Sequence, residues 1–284
     1  MKIVLAGAFG KLGTDILKVL VSKGFDVIAA DMIKKKVEGL DGFKTRIIDV
    51  TKPETLAGLC DGADIVITTV GLTGASTKVN HYDIDLEGNK NLLAEAKRAG
   101  VKKFVYISVL KAETDADIPM LDAKNKFEAE LKKSGVPYMI FRPTGYFYDI
   151  AKVFMSMIEK GQVTLLGKKD VYANVIDTSD LAEYIMKNMS DQGKTLSVGG
   201  IETYSYAQIA DMFFSAAGKP VIIKRAPAFL FDVLAFIAKV RKNGKYAIIK
   251  FSKWTLSQDM VGENCYGKLS FKEYIKNCYQ SERG

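Results

Sequence analysis

The sequence predicts an α/β fold, a doubly wound parallel sheet with helices on both faces and a small C-terminal lobe. Three observations carry that expectation. Short apolar runs rich in β-branched residues recur through the first half of the chain, at "KIVLA", "DVIAA", "TRIID", "DIVITTV", "KFVYISV" and "YMIFR". Nearly every gap between them holds a helical pattern. A glycine-rich turn, "GAFGKLG", follows the first run directly. Strand and helix in alternation build a parallel sheet that has to be covered on both sides.

Taken in order, the first run leads into a helix from about Lys11 that places Leu12, Ile16, Val19 and Leu20 on one face, and Gly24 stops it. The second run ends at Asp31 and the third at Asp49-Val50. A later helix turns Leu92, Leu93 and Ala96 inward, with Gly100 as its C-terminal signal. From about Ile150 the alternation loosens. Residues 1–284 therefore read as a single domain, with a lobe interleaved among the last strands from about residue 151 to 284. Within it, Ala228 to Val240 is apolar almost all round. Such a helix is expected beneath other structure or lining an apolar pocket, the alternatives being a lid or a membrane-surface contact.

Composition narrows the function classes. With 284 residues, 48% of them hydrophobic, the chain can bury a substantial core. Its longest strongly apolar stretch, "APAFLFDVLAFIAKV", is too short to span a hydrocarbon layer of about 30 Å. The first strand-like run starts at Lys2 with no leader ahead of it, so a cytoplasmic location is the expectation. Cys60, Cys265, Cys278 and the single His81 have neither disulfide parity nor metal-ligand spacing, which points to metal-free chemistry. The net charge of +8 comes from scattered lysines without a basic reading helix, so no nucleic-acid partner is expected.

Three glycines three apart between a strand and a helix have a physical purpose. Together Gly7, Gly10 and Gly13 let the backbone turn tightly, approach a pyrophosphate without a Cβ in the way and pack helix against strand, while the helix N-terminus offers N–H groups and partial positive charge. A dinucleotide cofactor held by Gly7, Phe9, Gly10, Lys11, Leu12 and Gly13 is the resulting expectation. At the end of the second run, Asp31, with Met32 beside it, is placed to accept hydrogen bonds from an adenosine ribose, and Asp49 and Val50 to meet the adenine. An acid at Asp31 repels a 2′-phosphate, which favours NAD over NADP. Lys34, Lys35 and Lys36 either neutralise such a phosphate or form an exposed helix start.

Five stretches now carry a family resemblance: "GAFGKLG", Asp31, "DIDLEGNKNLLAEAKRAGVKKFVYISV", "AKNKFEAEL" running into "SGVPYMIFRPTGYF", and "VIDTSDLAEYI". In this order the chain resembles the extended and atypical branches of the short-chain dehydrogenase/reductase superfamily. After "RPTGYF", down to "GKLSFKEYI", it is most similar to NmrA-like proteins and divinyl (proto)chlorophyllide reductases. The resemblance implies a Rossmann core, a nicotinamide dinucleotide, a pocket for a small-molecule substrate between core and lobe, and a homodimer as one common assembly. Val70, Gly71, Lys124 and Pro143 complete the expected cofactor contacts.

The superfamily's chemistry rests on a Tyr followed four residues later by a Lys. Lys124 matches the lysine, but Met120 stands at the Tyr position, and a shift to Lys126 puts Asp122 there. The usual upstream Asn matches Asp85. Ser108 is the available orienting hydroxyl, although the alignment can equally place Val109 there. Lys124, Ser108 and Tyr146 are the resulting catalytic candidates, Tyr146 or its neighbour Tyr148 being sources of the missing phenol. The alternative readings are Lys124 as a ribose ligand or an exposed lysine, Ser108 as a strand-end hydrogen bond, Asp85 as part of a local network, and His81 as a surface or structural residue. An NAD(P)-dependent oxidoreductase acting on a small organic molecule is the functional expectation. The alternatives are an NAD-retaining epimerase or dehydratase and a non-catalytic NmrA-like dinucleotide sensor.

Overall fold

The computed structural model describes residues 1–72, 74–242 and 244–280. The chain forms two compact units, Met1–Arg142 with Leu181–Leu196, and Pro143–Asp180 with Ser197–Gly284. The second therefore begins at Pro143, and residues 181–196 return to the first.

The first unit runs β1 (Lys2–Ala6), α1 (Lys11–Ser22), β2 (Asp26–Asp31), β3 (Phe43–Ile47), α2 (Pro53–Leu56), β4 (Ile65–Thr68), a π-helical turn (Tyr82–Gly88), α3 (Asn89–Arg98), β5 (Lys103–Ile107), α4 (Pro119–Lys133) and β6 (Tyr138–Pro143). All six predicted runs are strands. Ile3, Val4, Leu5 and Ala6 are buried, as a parallel strand covered on both faces requires. On α1, Leu12, Ile16, Leu17 and Leu20 are buried; Leu17 takes the inward place expected of Val19, which is half-buried. Gly24, at φ 75°, turns the chain after that helix. Phe127 of α4 is fully buried, with its ring edge-on to Tyr106 of β5 at 4.6 Å.

Two local expectations fail here. No helix follows Lys34 to Lys36, which are exposed on an irregular connection between β2 and β3. β3 ends at Ile47, so Asp49 and Val50 lie in the turn beyond it.

The remaining elements are α5 (Phe147–Glu159), β7 (Val163–Leu166), β8 (Tyr172–Ala173), α6 (Thr178–Asn188), β9 (Lys194–Gly199), β10 (Tyr204–Ser205), α7 (Tyr206–Ala217), β11 (Ile223–Ala226), α8 (Phe229–Val240), α9 (Tyr246–Thr255), β12 (Asn264–Cys265) and α10 (Phe271–Gln280). The eight-stranded sheet has the order β12-β9-β6-β5-β4-β1-β2-β3. Its order reverses at β1, which pairs in parallel with β2 on one side and β4 on the other; Ala6 is opposite both Ala30 and Thr68. Ligands of open α/β sheets bind outside the strand C-termini at such a reversal.

In the second unit, Phe147, Phe213 and Phe271 are buried together, with Phe147 and Phe271 centroids 4.7 Å apart. Ser205 and Gln208 form a capping box that starts α7. The burial expected of Ala228 to Val240 is overturned. On α8 only Ala235 and Ala238 are buried, while Phe236 is 67%, Val240 65% and Phe229 61% exposed. The small residues are on the covered side and the bulky ones face outward, a choice of face that a helix apolar all round does not reveal in sequence. Among the described residues, no helix is long and apolar enough to cross a membrane.

Candidate functional site

At the reversal point, the loops after β1 and β4 touch. Gly7 has φ 77°, and a Cβ there would lie 2.5 Å from Thr69 Oγ1. A Cβ on Gly13 would lie 2.0 Å from the Gly7 carbonyl oxygen, so the first turn of α1 can sit on this loop only as glycine. Gly10 meets nothing nearer than 3.4 Å and is the N-cap of α1 without a side-chain hydrogen bond. Packing alone therefore does not demand a glycine at this position.

Asp31, at the end of β2, ties itself to this loop. Its Oδ2 accepts the Phe9 N–H at 2.9 Å and its Oδ1 the Met32 N–H at 2.7 Å. Each carboxylate oxygen keeps a further lone pair. Phe9 is buried, with its ring 6.5 Å from Phe43, and Leu12 is buried beneath the turn; Lys11 and Met32 are exposed. Asp49 is turned to Thr51, accepting from its N–H at 3.0 Å and its hydroxyl at 2.7 Å. The Thr51 hydroxyl holds this carboxyl below its ordinary range against the opposing effect of burial. Val50 is packed in the core, where its Cγ2 would meet a Cβ on Gly88 at 2.6 Å.

The loop after β4 leads to a buried ionic network. Asp85, on the π-helical turn, accepts from His81 Nδ1 at 2.8 Å and from the Leu72 N–H at 3.2 Å, and its other oxygen lies 3.0 Å from Lys124 Nζ. The His81 bond requires its Nδ1 to carry the proton. The side chains of Asp85, His81 and Lys124 are 1%, 4% and 12% exposed, so charge is held here nearly out of water. Burial pushes the Asp85 carboxyl up, but Lys124 and then His81 outweigh it and hold it below the usual range. Gly71 makes the approach possible, since a Cβ there would lie 2.8 Å from Asp85 Oδ1 and 3.3 Å from Lys124 Nζ. Val70 is fixed beside it: its N–H donates to Thr68 Oγ1, and its carbonyl accepts from Asn89 Nδ2 at 3.2 Å.

Around Lys124, the buried Tyr106 ring centroid is 5.4 Å from Nζ. Burial drives the Tyr106 phenol well above its ordinary range, with Lys124 pulling the other way. Ser108, just beyond β5, is buried, and its Oγ has no hydrogen-bond partner among the described residues. Asp122 accepts from Tyr82 OH at 2.8 Å and from Lys126 Nζ at 2.7 Å, which commits it to a different contact from a phenol's. Burial, reinforced by that Asp122 bond, pushes Tyr82 up to about 12.

Thus the first unit brings together the glycine turn with Asp31, and Gly71 with Asp85 and Lys124. Pro143 and Tyr146 belong to the second unit, where Tyr146 caps α5 and stacks on Tyr148 at 5.7 Å. A shallow cleft of about 420 Å³ in that unit is lined by Tyr148, Lys152, Met155, Tyr274 and Cys278 among others. The sequence reading missed Asn89, whose side chain also accepts from Thr68 Oγ1 at 2.9 Å and so latches the π-helical turn to β4. It also missed Thr69, which meets Gly7. The polar "GN" after Asp85 was the available signal for Asn89.

Comparison with known proteins places the chain among relatives. The chain is 23% identical to the photosystem II assembly factor Ycf39 of Trieres chinensis over 280 residues, covering 97% of this chain and 82% of that protein. It is 26% identical to the chloroplastic divinyl chlorophyllide a 8-vinyl-reductase of Arabidopsis thaliana over 272 residues, covering 84% of this chain and 64% of the relative. The NADPH-dependent quinone oxidoreductase QOR2 of Escherichia coli, solved with NADPH, superposes with a TM-score of 0.73 at 20% identity, covering 98% of this chain and 99% of that one. That likeness speaks for the fold. The NAD(P)H-binding family profile matches residues 7–192, the span that holds the glycine turn, Asp31, Asp85 and Lys124, and the chain belongs to that family.

Proposed function

We propose that the protein is an NAD(P)-dependent oxidoreductase of the atypical short-chain dehydrogenase/reductase type, moving hydride to or from a small organic substrate. The observation that carries this reading is the buried Asp85–Lys124 pair against Gly71, at the mouth of the sheet reversal that also holds the glycine turn. Buried groups whose ionisation is shifted by a specific charge partner cluster at functional sites.

The residues present fit a dinucleotide. The cradle at Gly7, Gly10 and Gly13 and the N-terminus of α1 suit a pyrophosphate. Asp31 suits unmodified ribose hydroxyls and opposes a 2′-phosphate, so NAD is the favoured form. When bound, the nicotinamide supplies or accepts the hydride. Asp85 holds Lys124 in place, so that its ammonium can hydrogen-bond a ribose or a substrate oxygen. Ser108 Oγ is a second donor suited to orient that oxygen, and Tyr146 is a proposed source of the missing phenol.

A screen of quinones and activated alkenes, following oxidation of reduced nicotinamide, tests the reading. Turnover lost in Lys124→Met but retained in part by Lys124→Arg supports it; a variant lacking Lys124 that turns over at the wild-type rate contradicts it. The second reading, a dinucleotide sensor, draws on Met120 at the Tyr position. It requires a partner protein captured differently with NAD and NADP, and no turnover.

A further inference from the structure

The helical hairpin of α8 and α9 is built the wrong way round for a water-soluble surface. On α8 the alanines at 235 and 238 are the buried positions, whereas Phe229, Leu230, Val233, Leu234, Phe236 and Val240 are between 42% and 67% exposed. At about 100° per residue they share one arc of about 160°, a continuous apolar stripe rather than scattered exposure.

The charge around the stripe identifies what it meets. Between Lys219 and Lys253 the sequence has nine Lys and Arg and a single acid, Asp232. This segment alone accounts for the chain's net charge of +8, and the rest of the chain is balanced. Asp232 is itself paired with Lys253 at 2.7 Å, and Arg225 is paired with Asp170 from outside the segment, so the cations left at the stripe are those at its end. Lys239, Arg241, Lys242 and Lys245 are exposed where the stripe ends. A second copy of this chain is a poor occupant, because a two-fold contact would set the same positive patch against itself. An apolar stripe bordered by cations suits a surface that is apolar inside and anionic outside.

We infer that α8 is an interfacial helix, which lays Phe229, Val233, Phe236 and Val240 into the headgroup boundary of an anionic bilayer while the adjoining Lys and Arg meet its lipid phosphates. The helix has 12 residues, which suits lying in the surface rather than spanning it. Attraction of the flanking cations is additive and falls within a Debye length, so binding depends on both anionic lipid and salt.

The test is co-sedimentation of the full chain with phosphatidylcholine vesicles and with vesicles that also contain phosphatidylglycerol, at low and high salt. Phe236→Glu and the triple variant Lys239→Glu/Arg241→Glu/Lys242→Glu are run beside the wild type, with circular dichroism and thermal melting to show that each is folded. The expected result is binding to phosphatidylglycerol vesicles, weakened by salt and by about tenfold or more in each variant. Equal recovery with and without phosphatidylglycerol, or full binding by Phe236→Glu, would overturn the inference. So would a concentration-dependent dimer that Phe236→Glu abolishes in the absence of vesicle binding.

Discussion

The ammonium of Lys124 lies 3.0 Å from a carboxylate of Asp85 that is almost wholly buried. Two opposite charges out of water stabilise each other, but removal of one leaves the other unpaired at a cost of about 3–5 kcal/mol. Asp85→Asn is therefore expected to lower unfolding stability by about that amount in urea titration. The double variant Asp85→Asn/Lys124→Met is expected to recover part of the loss, because no cation is left unpaired and the Asn oxygen can still accept from His81 Nδ1 and the Leu72 N–H. Additive losses in the double variant would mean that the pair is not coupled.

The same pair sets a pH dependence. The folded-state carboxyl of Asp85 titrates below its unfolded value, so the unfolded chain binds the proton more readily. The stability this gives is fully present above the unfolded range of about pH 4 and is lost as pH falls through the lower folded value. Wild type is thus expected to lose stability faster than Asp85→Asn as pH drops below about 4. Parallel curves for the two proteins over that window would contradict the assignment.

The glycines separate packing from binding. Gly13→Ala would put a Cβ 2.0 Å from the Gly7 carbonyl oxygen and is expected to lower the melting temperature, overpacking being worth about 1–3 kcal/mol. Gly10→Ala meets nothing closer than 3.4 Å and is expected to melt like wild type while binding dinucleotide at least about tenfold more weakly. Wild-type affinity in Gly10→Ala would remove the phosphate from this turn.

Phe127 gives a measure of the core that supports α4. Its fully buried ring packs on Tyr106, and Phe127→Ala is expected to cost about 3–5 kcal/mol in chemical denaturation. A loss below about 1 kcal/mol would mean that the helix carrying Lys124 is not fixed by this contact.

The strands were legible because a doubly covered parallel strand needs a continuous apolar run, and "KIVLA" or "KFVYI" can be little else. The glycine turn was legible for the same kind of reason, since local sterics dictate it. The ionic network was legible only in pieces. Lys124 and Asp85 stand 39 positions apart on separate elements, and His81, read singly, gave no sign that the π-helical turn would carry it onto Asp85. The outward face of α8 was not legible at all, because a helix apolar on every side does not announce which side its neighbour covers.

The most direct test of the account is calorimetric titration of nucleotide-free protein with NAD⁺, NADH, NADP⁺ and NADPH, beside Asp31→Ala. The account predicts tighter binding of NAD(H) than of NADP(H), with that preference lost or reversed when the Asp31 carboxylate is removed. Binding of none of the four, or a preference for NADP(H) that Asp31→Ala leaves unchanged, would contradict it.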